Sequence, residues 1–393
     1  MLNKKIAAIV AASGMAVTGL ALGIAPAKAF DPVSNSYAIV GSDTLEDVVG
    51  ALVNGTNVSG AGVRVTTSDS STLASFDATG SGTIITKPFT SRFQRPNGSG
   101  DGRTALKAAI AGTNYTSTWS GRDTNWDAQS VAGKIDIVRG SSGGSLSGSG
   151  VLQRYTFGRD AIAYAYGSGL TNAANITDAD MVKIYQCDTT TLNAYGITQV
   201  VIPQSGSGTR NDFISKLALT DATVTDAAII AKYTTAATPG CITVGQEHDA
   251  STLSSTGIMP MSASRWIAMK NGVSYNKSGT ALLGSLVSGV AAVSGTAPNL
   301  VPVVAYYKNS TWGRDTYLFV DKNRVTVGNA SYDAVLAALF DYNNETSLTY
   351  QGGSSFSYAN MSSTPSFFAY QASAVKLKFG FLPASVQDTQ LVN

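Results

Sequence analysis

Val200-Val201-Ile202, then Gln204-Ser205-Gly206-Ser207-Gly208-Thr209-Arg210, then Phe213, Ile214 and Leu217: this stretch passes from an apolar strand through a glycine–serine loop into a helix with one apolar face. The same unit recurs. Tyr37-Ala38-Ile39-Val40 leads into Gly41-Ser42-Asp43-Thr44, and Leu45, Val48, Val49 and Leu52 then fall at i, i+3, i+4 and i+7. Asp43 with Glu46 three residues on gives a capping-box pattern. Asn97-Gly98-Ser99-Gly100-Asp101-Gly102 precedes a helical run from Thr104 to Ala111, stopped by Gly112. Ile135-Asp136-Ile137-Val138 leads into Arg139-Gly140-Ser141-Ser142-Gly143-Gly144, with a poorly marked helix after it. Strands alternating with helices predict an α/β architecture with largely parallel sheets.

The loops have a shared chemistry. A helix N-terminus carries unpaired N–H groups and partial positive charge. Glycine lets the backbone approach a ligand, and Ser or Thr hydroxyls donate without a counter-charge. Any one such loop is ordinarily a cap or a turn. Several converging can hold a small oxyanion: each charge-assisted hydrogen bond contributes about 1.5–3 kcal/mol, and a micromolar site needs about 8 kcal/mol.

The chain has 393 residues, of which 13% are charged and 44% hydrophobic; the charged share is about half the usual ~25%. That length suits two domains or one large one at ~150 residues each. One His and two Cys exclude zinc ribbons, iron–sulfur clusters and multi-histidine centres. Residues 1–29 read as a signal peptide: Lys4 and Lys5, an apolar run from Ile6 to Ala25, and Ala27-Lys28-Ala29 as cleavage site. The alternative is an uncleaved anchor. Cleavage removes three of the 27 basic residues and none of the 25 acidic ones, so no basic field remains and nucleic acid is not an expected partner. The boundary has no Cys for a lipid anchor. In an oxidising compartment Cys187 and Cys241 read as one disulfide, closing a loop of about 55 residues worth roughly 3–4 kcal/mol; two buried free thiols are the alternative. The expected location is secreted, at the extracellular face of the envelope or in a periplasm.

No glycine-rich loop has the Lys of a P-loop, and no cofactor is expected. Gly140-Ser141-Ser142-Gly143-Gly144 satisfies G-x-S-x-G, with His248, flanked by Glu247 and Asp249, as the available base. A nucleophile elbow needs a helix directly afterwards, and Ser145 to Gly150 is a poor one. The chain therefore reads as a non-enzyme, with His248 a polar residue of a loop or cleft.

The S-G-S-G-T-R run at Ser205–Arg210 resembles the signature of phosphate-binding proteins of ABC transporters, members of the type II solute-binding proteins. Gly41–Thr44 looks like that family's first anion loop, Gly98–Gly102 its second and Ile135–Ser142 its third; Tyr185-Gln186-Cys187 and Gln246-Glu247-His248-Asp249 resemble an exported actinobacterial branch. Phe157 to Tyr166 and Gly257 to Trp266 resemble the two crossings between lobes, and Phe379–Pro383 the closing motif. The resemblance implies a two-lobed periplasmic-binding-protein-like fold, mostly parallel sheets flanked by helices, with the ligand cleft between lobes. Lobe 1 would comprise 30–163 and 260–393, and lobe 2 would comprise 164–259. The implied function is capture of inorganic phosphate, as a monomer, for an ABC permease. The implied ligand residues are Ser42, Asp43, Thr44, Ser99, Gly100, Arg139, Ser141, Ser142, Ser207, Gly208, Thr209 and Arg210, with no metal.

Two departures bear on selectivity. Many family members have Arg where this chain has Pro203, which leaves Arg139, Arg95 or Arg210 to supply charge. The family's third-loop Asp, which accepts the proton of hydrogen phosphate, is missing, and Asp43, Asp101 or Glu247 would substitute. Without an acceptor phosphate has no advantage over sulfate. The same fold holding another oxyanion is thus one alternative, and a secreted surface or interaction protein that has lost its ligand is another.

Overall fold

The computed structural model describes residues 33–119, 121–219, 241–353 and 356–393; residues 1–29, expected to be a signal peptide, lie outside them. Ten strands of the described residues form one sheet. They are β1 (Tyr37–Gly41), β2 (Leu73–Ser75), β3 (Ile137–Gly140), β4 (Leu152–Tyr166), β5 (Gln199–Pro203), β6 (Ile242–Gly245), β7 (Gly257–Ser262), β8 (Leu282–Gly284), β9 (Gly313–Asp321) and β10 (Thr389–Val392). The order is β6-β5-β7-β4-β9-β3-β1-β2, with β8 and β10 also pairing with β4.

The chain is an α/β protein whose sheet has two wings. β1 runs parallel to β2 and β3 in the first, and β5 parallel to β6 and β7 in the second. Antiparallel pairs occur where β4 and β9 join the wings. β4 contains Phe157–Tyr166: its first residues pair with β9 and β10, and its last with β7 and β8. From Thr156 onward every residue of it is buried, as a strand covered on both faces requires.

Helices cover the wings. Val48, Val49 and Leu52, on the helix Glu46–Asn54, pack with Ile39, Phe157 and Leu318, while Ala105 and Leu106 meet Val40, Val138 and Phe319 on the other face. In the second wing Phe213 and Ile214 join Ile184, Tyr185, Val200, Ile202 and Trp312. The Phe213 ring meets Tyr185 edge-on, centroids 4.9 Å apart. Burying one such side chain contributes about 1.5–3 kcal/mol. Cys187 and Cys241 form a disulfide, Cα atoms 5.9 Å apart, which fixes β6's start to the helical layer. No helix of the described residues is long and apolar enough to cross a membrane.

Three local expectations need correction. The helix expected from Thr104 begins at Ser99 and runs to Ala111. Gly100 and Gly102 are poor helix formers, but Gly102 lets the first turn lie on the strand ends: a Cβ there would be 2.8 Å from the Val138 side chain and 3.0 Å from Gly41 Cα. The capping box at Asp43 does not form, because burial draws both carboxyls into other bonds; Glu46 accepts from Ala78 N at 2.8 Å instead. Finally, the chain beyond 260 does not all return to the first wing. β8 pairs with Tyr164–Tyr166 of β4, and Leu286, Val304, Tyr306 and Trp312 enter the second wing's core.

Candidate functional site

Four loops leave the carboxyl ends of parallel strands at the junction of the wings: Ser42–Thr44 after β1, Ser141 after β3, Gln204–Ser207 after β5 and Gln246–His248 after β6. This is where open α/β sheets bind ligands, since helix N-termini point there. The helix start at Ser99 joins them through an isolated bridge from Gly41 to Asn97.

The loops touch across the wings. Gly100 N donates to Gly206 O at 3.1 Å. Gln204 Nε2 donates to Asn97 Oδ1 at 2.6 Å, and its own Oε1 accepts from Glu247 N at 2.8 Å. A Cβ on Gly98 would collide with the Gly206 carbonyl, and one on Gly208 with the hydroxyls of Ser141 and Ser99. Gly98 also has φ near 108°, a region open mainly to glycine. Ser99 Oγ accepts from Ser141 N at 2.8 Å and lies 3.1 Å from Ser141 Oγ. Ser207 caps the helix Gly208–Lys216 by accepting from Arg210 N at 3.0 Å.

A buried polar chain continues from there. Thr209 N donates to Glu247 Oε1 at 3.2 Å, and Thr209 Oγ1 accepts from Arg314 Nη2 at 2.8 Å. His248 Nε2 lies 3.3 Å from the same hydroxyl, and its Nδ1 lies 3.2 Å from Asp43 Oδ1. Arg265 approaches Asp43 at 3.3 Å and Glu46 at 3.6 Å and contacts Asp47. Arg314 also holds Asp160 at 2.8 Å and Asp212 at 3.2 Å. Burial pushes the Asp43 carboxyl up, but the Arg265 charge and the His248 hydrogen bond outweigh it and hold Asp43 below the usual carboxylate range. Burial, together with repulsion from Asp43, pushes Glu46 up to about 7.

Within this enclosure Ser42 Oγ, Thr44 Oγ1, Asp43 Oδ2 and Glu247 Oε2 have no hydrogen-bond partner among the described residues. An orphaned buried polar atom costs about 1–3 kcal/mol, and Asp43 and Glu247, which carry two of the four, both lie against the His248 ring. No cluster of three metal-ligating side chains occurs among the described residues.

The expected site residues separate into two groups. Ser42, Asp43, Thr44, Ser99, Gly100, Ser141, Ser207, Gly208 and Thr209 come together. Arg139 sits behind them, donating to Ser42 O, Gly41 O, Phe76 O and Ser75 Oγ within its own wing. Arg210 donates to Pro203 O at 3.3 Å, and Arg95 to Ser81 O and Asp77 O. Ser142 is bonded to Arg103, while His248 spends both nitrogens elsewhere, so the Ser142–His248 pair is not formed. Asp101 accepts from Asn97 N, Ser117 Oγ and Thr118 N. Arg265 lies beside Asp43 and Arg314 beside Thr209, and no loop motif marks either.

No protein-family model matches the chain, and no curated protein matches it. Solved structures do. A periplasmic phosphate-binding protein, PfluDING, is 12% identical over 88% of this chain and 90% of its own, TM-score 0.45. An ABC-type phosphate transport receptor from Vibrio cholerae is 16% identical over 77% and 93%, TM-score 0.42. A putative phosphate ABC transporter substrate-binding protein from Clostridium perfringens is 16% identical over 76% and 90%, TM-score 0.41.

Proposed function

We propose that this chain is an exported solute-binding protein that captures inorganic phosphate between two lobes and delivers it, as a monomer, to an ABC-type permease without chemical change. One observation carries the reading: the hydroxyls of Ser42 and Thr44 and one carboxylate oxygen each of Asp43 and Glu247 are buried without a hydrogen-bond partner among the described residues, and Asp43 and Glu247 both lie against the ring of His248. The hydroxyls suit the acceptor oxygens of an oxyanion. The carboxylate oxygens require a ligand that also bears an O–H, because a carboxylate only accepts. Hydrogen phosphate has both; sulfate near neutral pH has only acceptors. Asp43 and Glu247 thereby take the part of the missing third-loop Asp, and Arg265 and Arg314 supply the charge absent at Pro203. The disulfide accords with an oxidising compartment.

A second reading rests on the direct contact of Gly208 with Ser99 and Ser141 and on the Ser99–Ser141 hydrogen bond. Hydroxyls that satisfy one another suit a surface protein that has lost its ligand. Calorimetric titration of phosphate, then sulfate, into mature protein stripped of anion by unfolding and refolding separates the cases. Micromolar phosphate binding with little response to sulfate supports capture of phosphate, and equal or sulfate-favouring binding moves the ligand to another oxyanion. No heat and no thermal stabilisation with either supports the surface protein.

A further inference from the structure

His248 is the chain's one histidine, it is wholly buried, and its ring joins the β1 loop of one wing to the Thr209 helix of the other. The proton inventory at Thr209 is constrained. Its hydroxyl has one proton and two lone pairs. Arg314 only donates, so it occupies one lone pair. Asp43, held ionised, only accepts, so the His248 Nδ1 facing it carries a proton. Two arrangements of the Thr209–His248 contact remain. If the imidazole is neutral, Nε2 accepts the Thr209 proton and the hydroxyl has nothing to give a ligand. If it is an imidazolium, Nε2–H fills the second lone pair, and the hydroxyl proton must turn away from both partners.

From this we propose that anion capture at the Thr209 loop is coupled to uptake of one solvent proton, held on His248. The inference rests on the oxyanion reading above and adds a control to the same site. His248 is a positioning residue: it acts on the ligand through the direction of the Thr209 hydroxyl. Charged groups face the ring from several elements. Asp43 faces it from the β1 loop, and Glu247 Oε1 lies 3.8 Å from Nε2 on its own loop. Arg265, on the helix Ala263–Lys270, and Arg314, on β9, act on Asp43 and Thr209. Glu46 stands behind Arg265, and the charge of Lys277 is felt at Asp43. Affinity then falls as pH rises, by up to about tenfold per pH unit.

Because the chain has one histidine, its ring carbon resonance reports this directly by NMR on unmutated mature protein. Phosphate, and separately sulfate, is added at fixed pH, and binding heats are compared in buffers of differing ionisation enthalpy. The expected result is a ring signal that moves to the imidazolium position with bound anion, with uptake of about one proton per sulfate bound. His248→Gln is expected to bind more weakly, without proton uptake and with a flattened pH profile. Binding with the ring left neutral, or uptake retained in His248→Gln, which would assign the proton to Glu46, overturns the coupling and leaves oxyanion capture standing. If neither anion binds the unmutated protein, the oxyanion reading fails and the coupling with it.

Discussion

His248 Nδ1 lies 3.2 Å from Asp43 Oδ1, across 205 positions of sequence, and this one contact ties the second wing's β6 loop to the first wing's β1 loop. Both residues are buried, and each has a further partner: Arg265 for Asp43, Thr209 for His248. The wings are therefore coupled by polar groups as well as by the strands that run through them.

Gly208→Ala tests the contact between the loops. Gly208 has no positive φ, so Ala suits its backbone and would gain up to about 1 kcal/mol of helix propensity in a helix interior. Against this, the new methyl meets Ser141 Oγ and Ser99 Oγ in the other wing, and overpacking of this kind costs about 1–3 kcal/mol. The expected variant melts at a lower temperature and has a larger radius of gyration in solution scattering. A higher melting temperature with unchanged dimensions would mean that the loops do not touch in this way.

Glu46 sets a pH dependence whose sign is fixed. Its native value is raised from 4.5 to about 7, so between these values the native state binds more protons than the unfolded chain. Stability from this group is complete below the unfolded value and is lost as pH rises through the native one, with a swing of order 1–3 kcal/mol. Asp43, lowered, acts in the opposite sense and only in acid: its contribution is present above its unfolded value and lost as pH falls through the native one. Denaturant midpoints between pH 5 and 8 should fall with pH in the parent and fall less in Glu46→Gln. Identical slopes would remove Glu46 from the account.

The strand–loop–helix units were legible because their apolar periodicity is local: Val48, Val49 and Leu52, or Phe213 and Ile214, mark a buried face without reference to the rest of the chain. The loops were legible because glycine and hydroxyl residues concentrate in them. The charges were not. Arg265 and Arg314 lie on a helix and a strand remote in sequence from every glycine loop, and only the return of those elements to the wing junction brings them to Asp43 and Thr209. Nor could spacing separate Arg139 from a ligand-facing arginine, since what distinguishes it is the ring of carbonyls around its guanidinium. The helix start at Ser99 was hidden for a related reason: glycine's low propensity is local information, and the contact of Gly102 with β1 and β3 is not.

Arg314 should be the more costly of the two guanidiniums to remove. It holds Asp160, which is wholly buried, and bridges it to Asp212 and Thr209. Arg314→Met leaves that carboxylate buried without its cation, at about 3–5 kcal/mol. Asp160→Asn in the same chain should recover much of the loss, because the amide oxygen can still accept from Ser262 Oγ and Ser264 N. Urea denaturation of the single and double variants measures the difference; equal loss in both would show that Arg314 acts by packing and not by charge.

Thr209→Ala and Ser42→Ala ask different questions of the site. Thr209 Oγ1 is already engaged by Arg314 and His248, so its loss strips each of a partner as well as removing a ligand contact. Ser42 Oγ has no partner among the described residues. Removing it therefore relieves an orphaned group in the free protein while deleting a hydrogen bond in the complex, and protein stability should rise slightly as affinity falls. At about 1.5–3 kcal/mol for a charge-assisted bond, phosphate binding should weaken roughly 10- to 100-fold in each variant. Calorimetry and thermal melting of the same samples give the decisive pairing: weaker binding in both, with stability lower for Thr209→Ala and unchanged or higher for Ser42→Ala. Unaltered affinity in both variants would place the anion elsewhere.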